Sequence, residues 1–314
     1  MQLVITDGYT LNPGDLSWKE FDKLGETVYY DRTASNEVLE RCRNAGVIIT
    51  NKTPINSAVI EAAENLQLIA VTATGYNVVD IAAAKKRSIQ VCNVPAYGTH
   101  SVAQHAFALL LELTNHAGIN AHSVQAGDWY RSADWCYTKQ PLMELNNKTM
   151  GIIGLGKIGA QMARIALALG MKVIYHRGKS EIEDTRQVPL HELFMQADVI
   201  SLHCPLTPDN NAFVNKELIE LMKPTAFLIN TSRGQLIAEK DLAEALQQNK
   251  LAGAALDVLS VEPPLPGNPL IGLPNCIITP HNAWISFEAR SRVMQTTIEN
   301  VKAALDGNPI NVVN

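Results

Sequence analysis

The chain has 314 residues and a formal net charge of −5, and 46% of its residues are apolar while 18% are charged. This composition is that of an ordinary soluble globular protein, and the length is sufficient for two domains that each bury a core. The acidic balance gives no electrostatic reason to expect nucleic acid or an anionic membrane as a partner, and no apolar window approaches the length of a membrane span.

Three features of the sequence indicate where the protein is located and whether it binds a metal. The five cysteines are scattered, odd in number and without a C-x-x-C pair, which is typical of reduced thiols in a cytoplasmic protein. Residues 1–7 enter a strand at once and show no basic segment or cleavage site, so we expect a cytoplasmic location. The eight histidines lack zinc-site spacing, and we expect no metal.

Alternating strands and helices fill the first third of the chain. Apolar runs predict strands at residues 3–6, 27–30, 47–50, 68–71 and 89–92. Amphipathic stretches such as residues 57–64 and 79–86 lie between them and predict helices. This alternation favours a parallel sheet that is covered on both faces.

A long helix and an aromatic segment follow. Thr99 is expected to cap a helix over residues 100–116, which is apolar on one face. Residues 127–145 show no clear periodicity, yet they hold Trp129 and Trp135, two of the four tryptophans. This segment is either an ordinary packed loop or an arm that reaches across a subunit interface, where aromatic residues are enriched.

A glycine motif opens a second alternating series. Residues 150–153 are an apolar run of strand type, and Gly154, Gly156 and Gly159 then give the spacing G-x-G-x-x-G. The first glycine permits a tight turn, the second lets the backbone approach a pyrophosphate, and the third lets the next helix pack closely on the strand. A helix ending at Gly170 and a strand at residues 172–175 follow. This context predicts dinucleotide binding rather than a merely structural turn.

The remaining elements complete an α/β fold class with two doubly wound parallel sheets. Strands are predicted at residues 199–202, 226–230, 252–256 and 276–279, and a last helix begins after Ser286 and closes at Gly307. The glycine motif therefore lies in mid-chain, behind another α/β unit, which is an unusual position for a dinucleotide enzyme.

Three reactive side chains, Arg233, Glu262 and His281, each follow one of the last three strands. Ligands of open α/β sheets bind beyond the carboxyl ends of the strands. Singly, they read equally well as a surface arginine, a solvated acid and a satisfied buried histidine. Together they suit hydride transfer to a 2-keto acid. A guanidinium holds the substrate carboxylate, an imidazolium protonates the carbonyl oxygen, and a carboxylate fixes the imidazole in its charged form.

Five segments carry a resemblance to the D-isomer-specific 2-hydroxyacid dehydrogenase family that extends over essentially the whole chain. They are residues 154–159 (GLGKIG), 203–208 (HCPLTP), 230–234 (NTSRG), 257–264 (DVLSVEPP) and 279–281 (TPH). The resemblance implies a Rossmann nucleotide-binding domain, residues 99–284, inserted into a flavodoxin-like substrate domain, residues 1–98 plus 285–314. It also implies an NAD(P)-dependent enzyme acting on a small 2-keto acid.

The same resemblance assigns roles to particular residues. Arg233, Glu262 and His281 match the catalytic residues of the family, and Asp257 matches the partner of the nicotinamide amide. The implied cofactor contacts are Thr99, Gly154, Gly156, Lys157, Ile158, Gly159, His176, Arg177, His203, Cys204, Pro205, Thr231, Ser232, Asp257 and His281. The implied substrate contacts are Thr74, Gly75, Arg233, Trp284 and, from the other subunit of a homodimer, Trp135.

Within the family, residues 7–16, 93–104 and 135–137 are most similar to glycerate dehydrogenases, also called hydroxypyruvate reductases. Hydroxypyruvate with D-glycerate, or glyoxylate with glycolate, is therefore the expected substrate pair. Two alternatives stay open: another 2-keto acid such as pyruvate, and a nucleotide-sensing corepressor of the same fold, in which assembly matters more than turnover.

The cofactor preference is expected to lean towards NADP. Members that prefer NAD place an acid at the end of the second strand of the motif, where it accepts the ribose hydroxyls. This chain has His176 there, followed by Arg177. An arginine can hold a 2′-phosphate by two charge-assisted hydrogen bonds, although a solvated basic turn would tolerate either cofactor.

Overall fold

Apolar runs that are buried on both faces form the centres of two parallel sheets. The computed structural model describes residues 1–314, which divide into two units. Unit 1 comprises Met1–Tyr97 and Ile285–Asn314, and unit 2 comprises Gly98–Trp284.

Unit 1 contains a five-stranded sheet of β1 (Gln2–Ile5), β2 (Glu26–Tyr29), β3 (Val47–Thr50), β4 (Leu68–Val71) and β5 (Gln90–Cys92). The strands lie in the order β2-β1-β3-β4-β5 and are all parallel. This is the flavodoxin-like order of a doubly wound sheet. Every residue of β3 and β4 is buried, which explains their unbroken apolar character.

Four short helices connect these strands: α1 (Lys19–Asp22), α2 (Val38–Cys42), α3 (Ser57–Ala62) and α4 (Ile81–Lys86). Two of them begin at side-chain caps, because Asn56 accepts a hydrogen bond from the Val59 N–H and Asp80 accepts one from the Ala83 N–H. Apolar side chains from α2, α3 and α4 join those of the sheet in one core cluster.

Unit 2 has six helices: α5 (Thr99–Asn115), α6 (Ala117–Gln125), α7 (Lys157–Ala168), α8 (Leu190–Gln196), α9 (Lys216–Ile219) and α10 (Glu239–Gln247). Its sheet has seven strands: β6 (Thr149–Leu155), β7 (Lys172–Gly178), β8 (Thr185–Gln187), β9 (Val199–Leu202), β10 (Phe227–Asn230), β11 (Gly253–Leu256) and β12 (Cys276–Ile278). The order β12-β11-β10-β9-β6-β7-β8 is all parallel and is the Rossmann order extended by a seventh strand.

The two faces of this sheet are covered by different helices. Side chains of α5 and α7 form one core cluster with the sheet, and those of α8, α9 and α10 form another on the opposite side. The sheet is therefore doubly wound, as predicted from the alternation of strands and helices.

The start of α5 corrects one prediction. The helix begins with Thr99 itself, Gly98 stands in the capping position, and no side chain caps the helix there. The expectation that Thr99 is the cap was therefore wrong. The helix ends at Asn115, as His116 is left-handed with a φ of 50° and starts the separate helix α6.

The chain returns to unit 1 in its last helix, α11 (Phe287–Leu305). The Ser286 hydroxyl caps it by accepting a hydrogen bond from the Ala289 N–H, and Gly307, with a φ of 77°, follows its end as predicted. Within unit 1, the Asn300 side chain of α11 donates a 2.8 Å hydrogen bond to the Asn93 carbonyl beyond β5.

Candidate functional site

The carboxyl ends of the seven parallel strands of unit 2 lie along one edge of the sheet. The direction of winding reverses between β6 and β9, which makes this pair the topological switch point where such sheets bind ligands. The predicted site residues of unit 2 stand at the carboxyl-terminal ends of β6 and β7 and on the loops that follow β6, β9, β10, β11 and β12. One edge of one sheet therefore gathers residues that are far apart in sequence.

The imidazole of His281 and the carboxylate of Glu262 form a close pair at this edge. His281 Nδ1 lies 2.5 Å from Glu262 Oε2, and the other oxygen of Glu262 accepts a 3.0 Å hydrogen bond from the Leu259 N–H. The side chains are 27% and 34% exposed, so the pair is reachable from solvent and neither group is a sealed core residue. Because Nδ1 faces the carboxylate, Nε2 is the nitrogen left to act on a substrate.

Asp257 holds the loop that carries His281. Its carboxylate, which is 1% exposed, accepts 2.9 Å hydrogen bonds from the N–H groups of Asn282 and Ala283. Its backbone carbonyl accepts a 2.8 Å hydrogen bond from the His281 N–H. These contacts support the left-handed backbone of His281, whose φ is 52°.

Two side chains of α5 also hold this loop, and sequence reasoning gave neither a role. The Ser101 hydroxyl donates a 2.6 Å hydrogen bond to the Ala283 carbonyl. His105 Nε2 lies 3.1 Å from the Thr279 hydroxyl and 3.5 Å from the Asp257 carboxylate. Residues 101 and 105 are four apart and so share one face of the helix. This spacing of two polar residues beside the apolar face of the helix is the one sequence feature that could have indicated their role.

These hydrogen bonds fix the charge state of Asp257. Burial alone would raise the pKa of its carboxyl group, but the nearby His105 ring and the hydrogen bonds donated by Thr279, Ala283 and Asn282 hold the pKa below its ordinary value. The carboxylate is therefore ionised at neutral pH and acts only as an acceptor.

Arg233 stands on a turn that its neighbours shape. The Asn230 side chain accepts a 2.9 Å hydrogen bond from the Ser232 N–H and donates one of 2.8 Å to the Arg233 carbonyl. Gly234 lies so close to the next loop that a Cβ there would come within 1.9 Å of the Leu259 carbonyl carbon. The loops bearing Arg233 and Glu262 are thus in direct contact, and the exposed guanidinium is available for an anionic group.

The glycine loop after β6 has the shape that a dinucleotide requires. Gly154 has a φ of 94° and approaches the Cys204 backbone so closely that a Cβ would lie 2.7 Å from its nitrogen. A Cβ on Gly159 would come within 2.2 Å of the Gly154 carbonyl oxygen, so only glycine lets α7 pack here. At Gly156, by contrast, a Cβ would meet nothing within 4 Å.

The N-terminus of α7 faces this open space. Gly156 is its cap and no side chain bonds the first N–H groups, which belong to Lys157, Ile158 and Gly159. The first turn contains no acidic residue. Unsatisfied N–H groups and the positive end of a 12-residue helix together suit a pyrophosphate.

Three buried polar atoms near the same edge have no hydrogen-bond partner within the protein: His203 Nδ1, Thr231 Oγ1 and Asn282 Oδ1. Buried polar groups are rarely left unsatisfied, so these atoms indicate a polar ligand or water. His203 follows β9, and its Nε2 lies 2.8 Å from the core hydroxyl of Ser201. Burial lowers the pKa of His203 to about 4, so the imidazole is neutral. The residues present therefore fit a nicotinamide dinucleotide.

The end of β7 carries the two basic residues predicted to meet the adenosine ribose. His176 Nδ1 donates a 3.1 Å hydrogen bond to the Val188 carbonyl, which leaves Nε2 as the ring nitrogen that can meet a ligand. Arg177 is exposed, with a φ of 62°. Burial raises the pKa of the Cys204 thiol, whereas the positive charge of Arg177 lowers it. Because Cys204 follows β9, the charge of Arg177 lies near the switch point. Neighbouring Pro205 and Ser232 are partly or fully exposed.

Other predicted residues lie elsewhere in their units. In unit 1, Thr74 and Gly75 follow β4, and the Thr74 hydroxyl donates a 2.8 Å hydrogen bond to the Val94 carbonyl. In unit 2, Trp284 lies beside Gly98 at the start of α5. Trp135 is 86% exposed, and its carbonyl accepts a 2.9 Å hydrogen bond from the indole of Trp129.

The structure shows neither a metal-binding cluster nor a membrane-spanning helix. No group of three or more His, Cys, Asp or Glu side chains is arranged to hold a metal ion. No helix combines the length and the apolar character that crossing a bilayer requires.

Comparison with known proteins agrees with this geometry. Residues 107–283 match the sequence profile of the D-isomer specific 2-hydroxyacid dehydrogenase, NAD binding domain. The chain is 49% identical to the hydroxypyruvate reductase of Blautia hydrogenotrophica over 321 aligned residues, covering 100% of both chains. It is 39% identical to the glycerate dehydrogenase of Methylorubrum extorquens, covering 95% of each. Among solved structures, the acyclic imino acid reductase Bsp5, in complex with NADPH and D-arginine, matches with a TM-score of 0.87 and 34% identity over 100% of both chains.

Proposed function

Because this chain belongs to the D-isomer specific 2-hydroxyacid dehydrogenase family, we propose that it transfers a hydride between a nicotinamide cofactor and a small 2-keto acid, and that hydroxypyruvate with D-glycerate is its main substrate pair. The observation that carries the proposal is the 2.5 Å pair of His281 and Glu262 at the edge of a dinucleotide-type sheet. A charged imidazole at that position can protonate a carbonyl oxygen as the hydride arrives.

Each catalytic side chain then has a distinct task. The bound cofactor supplies or accepts the hydride. In reduction, His281 gives the Nε2 proton to the carbonyl oxygen, and in oxidation the neutral ring takes the hydroxyl proton. Glu262 keeps the ring oriented by accepting the hydrogen bond from Nδ1. The exposed guanidinium of Arg233 binds the substrate carboxylate by two parallel hydrogen bonds.

Unit 1 is proposed to be the substrate domain and unit 2 the dinucleotide domain. The N–H groups of the turn at Thr74 and Gly75 follow β4 at the carboxyl edge of the smaller sheet, where ligands of such sheets bind, and they are proposed to contact the substrate carboxylate. The five free cysteines are consistent with a cytoplasmic enzyme.

The choice of hydroxypyruvate rests on the relatives. The protein with 49% identity is a hydroxypyruvate reductase and the one with 39% is a glycerate dehydrogenase, whereas a glyoxylate reductase of Korarchaeum cryptofilum reaches 37%. Glyoxylate is therefore proposed as the second substrate. Pockets separate such neighbours by only ~1–3 kcal/mol per methylene-sized group, so some activity with both is expected.

A panel of keto acids tests this proposal. We expect kcat/KM to be highest for hydroxypyruvate, lower for glyoxylate, and lowest for pyruvate, which lacks the terminal hydroxyl. A protein that binds the cofactor but turns over none of the three would instead favour a nucleotide sensor of the same fold.

The cofactor is proposed to be NADP rather than NAD. No acid stands at the end of β7 to repel a 2′-phosphate, and the exposed Arg177 there offers two donors to it. His176, whose Nε2 is left without a hydrogen bond to Val188, is proposed to contact a ribose hydroxyl. Arg177 is thus the residue on which the preference depends.

The measurement is kcat/KM for NADPH and for NADH in the wild-type protein and in Arg177→Ala. We expect NADPH to be preferred, and the substitution to lower its kcat/KM while leaving that of NADH nearly unchanged. Lys179→Ala, two residues further on and also exposed, is the matched charge control. A wild-type preference for NADH would overturn the assignment.

A homodimer is proposed as the working assembly. Trp129, Tyr130 and Trp135 are 52%, 92% and 86% exposed in the single chain, which is unusual for large aromatic side chains clustered in one segment. Such residues are enriched where subunits meet. Trp135 is proposed to lie near the mouth of the other subunit's active site.

A further inference from the structure

His105 belongs to a chain of three side chains that connects helix α5 with the loop of His281. Its Nε2 lies 3.1 Å from the Thr279 hydroxyl oxygen. That hydroxyl lies 2.6 Å from Asp257 Oδ1. His105 is 23% exposed and Asp257 is 1% exposed, so the connection is shielded over most of its length.

The distances determine which group donates to which. An ionised Asp257 has no proton, and two oxygens only 2.6 Å apart repel each other unless one of them donates, so the Thr279 hydroxyl donates to Asp257. Because the Thr279 hydroxyl donates its one proton to Asp257, its oxygen can only accept a hydrogen bond from His105. His105 must therefore carry its proton on Nε2.

Asp257, the last of these three side chains, is the group that holds the loop of His281. Asp257 accepts hydrogen bonds from the N–H groups of Asn282 and Ala283, directly after His281. A carboxylate that turned about its last bond would release both. Because Oδ1 is held by Thr279 and the backbone together, the hydroxyl and the imidazole behind it limit that rotation.

We propose that His105 is a positioning residue, whose Nε2–H acts through Thr279 to fix the Asp257 carboxylate and, with it, both the cofactor amide and the loop of His281. This inference rests on the proposed function for the role of Asp257 towards the nicotinamide amide. It adds a residue of α5 that contacts neither the substrate nor the reacting atoms.

The first test needs no cofactor and no substitution that endangers folding. In protein labelled with 15N-histidine, the His105 ring is expected to show the Nε2–H tautomer at pH 8, with its signals assigned by their loss in His105→Gln. An Nδ1–H tautomer would reverse the donor order and overturn the proposal.

The second test compares His105→Leu, which removes the donor, with His105→Gln, which keeps an N–H at similar reach. His105→Leu is expected to raise the Kd of the nicotinamide dinucleotide, measured by calorimetry, by about 10-fold, the scale of one hydrogen bond to a charged network. His105→Gln is expected to restore most of the affinity. The KM of the keto acid should change much less than the cofactor Kd, a split that partial unfolding would not produce.

His191→Leu is the control, since this exposed histidine lies on α8, which packs on the opposite face of the sheet from α5. Unchanged cofactor affinity in His105→Leu, or a glutamine variant as impaired as the leucine variant, would contradict the inference. If Leu does not fold, Thr279→Val against Thr279→Ser makes the same comparison. A wild-type protein that fails to reduce hydroxypyruvate would refute the proposed substrate, yet the binding results would still decide the role of His105.

Discussion

His281 owes its role to two different sets of contacts, one at its side chain and one at its backbone. The imidazole is set by Glu262, whereas the left-handed backbone is set by hydrogen bonds to the carbonyl groups of Asp257 and Thr279. A substitution of the side chain therefore removes the proton donor without removing the supports of the loop.

His281→Gln is accordingly expected to lower kcat by at least ~10²-fold, the usual scale for loss of a general acid–base group, while cofactor binding survives. Glu262→Gln keeps the shape of the acceptor but loses its charge, so the Nδ1 hydrogen bond that orients the ring is weakened. Its kcat/KM for the keto acid should therefore fall, although by less than that of His281→Gln. Steady-state kinetics of both variants provide the check, and an unchanged kcat/KM in Glu262→Gln would count against the pair.

His203 should make the stability of the protein depend on pH. Burial lowers its pKa to about 4 in the folded state, whereas an unfolded histidine has a pKa near ~6.5. Between these values the unfolded chain binds the extra proton, so the free energy of unfolding falls as the pH drops from about 6.5 to about 4, by up to ~1.4 kcal/mol per pH unit. His203→Gln, which keeps a polar group near Ser201 but cannot be protonated, should show a shallower slope in urea titrations of the cofactor-free protein.

The sequence predicts some of these residues and misses others for a physical reason. Arg233, Glu262 and His281 lie three to six residues beyond the ends of recognisable strands, so a rule about strand ends finds them. His105 contacts Asp257, 152 positions later, only because α5 packs on the sheet. The only local signal is Ser101 one helical turn earlier, and that spacing does not reveal which distant residue His105 contacts.

At the scale of elements, the glycine loop shows two different reasons for glycine. Gly159 is required by packing of α7 against β6, because any side chain would meet the Gly154 carbonyl. Gly156 has no such neighbour and a φ of −82°, which any residue adopts. The protein alone therefore does not explain Gly156, whereas a bound pyrophosphate does.

This difference gives a paired prediction. Gly156→Ala should change the free energy of unfolding by no more than about 0.5 kcal/mol but abolish dinucleotide binding, because the methyl group fills the space for the phosphates. Gly159→Ala should lower both the affinity for the dinucleotide and the free energy of unfolding, the latter by about 1–3 kcal/mol because of overpacking. Urea unfolding and calorimetric binding measure the two quantities separately. Normal binding in Gly156→Ala would place the dinucleotide elsewhere.

Elements with a strong burial pattern were predictable, and weak ones were not. The strands β3, β4 and β9 match the predicted residues because their unbroken apolar runs are buried at every position. Strand β8 was missed, since its Thr185–Gln187 is short, polar and at the edge of the sheet. The capping position at Gly98 was also missed, because a glycine there offers no side-chain signal.

At the scale of the whole chain, each unit builds its own doubly wound sheet, and unit 1 is assembled from both ends of the sequence. Arg290 of α11 shows how firmly the C-terminal segment is joined to it. Arg290 is 5% exposed, and its guanidinium makes a two-pronged contact with Asp15 at 2.6 and 2.7 Å and donates a 3.0 Å hydrogen bond to the Leu11 carbonyl. This hydrogen bonding lowers the pKa of Asp15, which keeps the pair charged.

The proposed homodimer leads to the last prediction, which concerns Trp135. The wild-type protein should sediment at about twice its subunit mass of 34.3 kDa at micromolar concentration. Because Trp135 is 86% exposed in the single chain, Trp135→Ala should leave subunit stability nearly unchanged, yet raise the KM of the keto acid if the ring serves the other subunit's site.

Co-expression of the Trp135→Ala and His281→Ala variants shows whether Trp135 serves its own subunit or the other one. In a mixed dimer, the subunit with an intact His281 receives Trp135 from its neighbour, so about half of the wild-type activity should return at the wild-type KM. If Trp135 serves its own subunit, the mixed dimer keeps the raised KM, and a monomer in sedimentation would refute the assembly altogether.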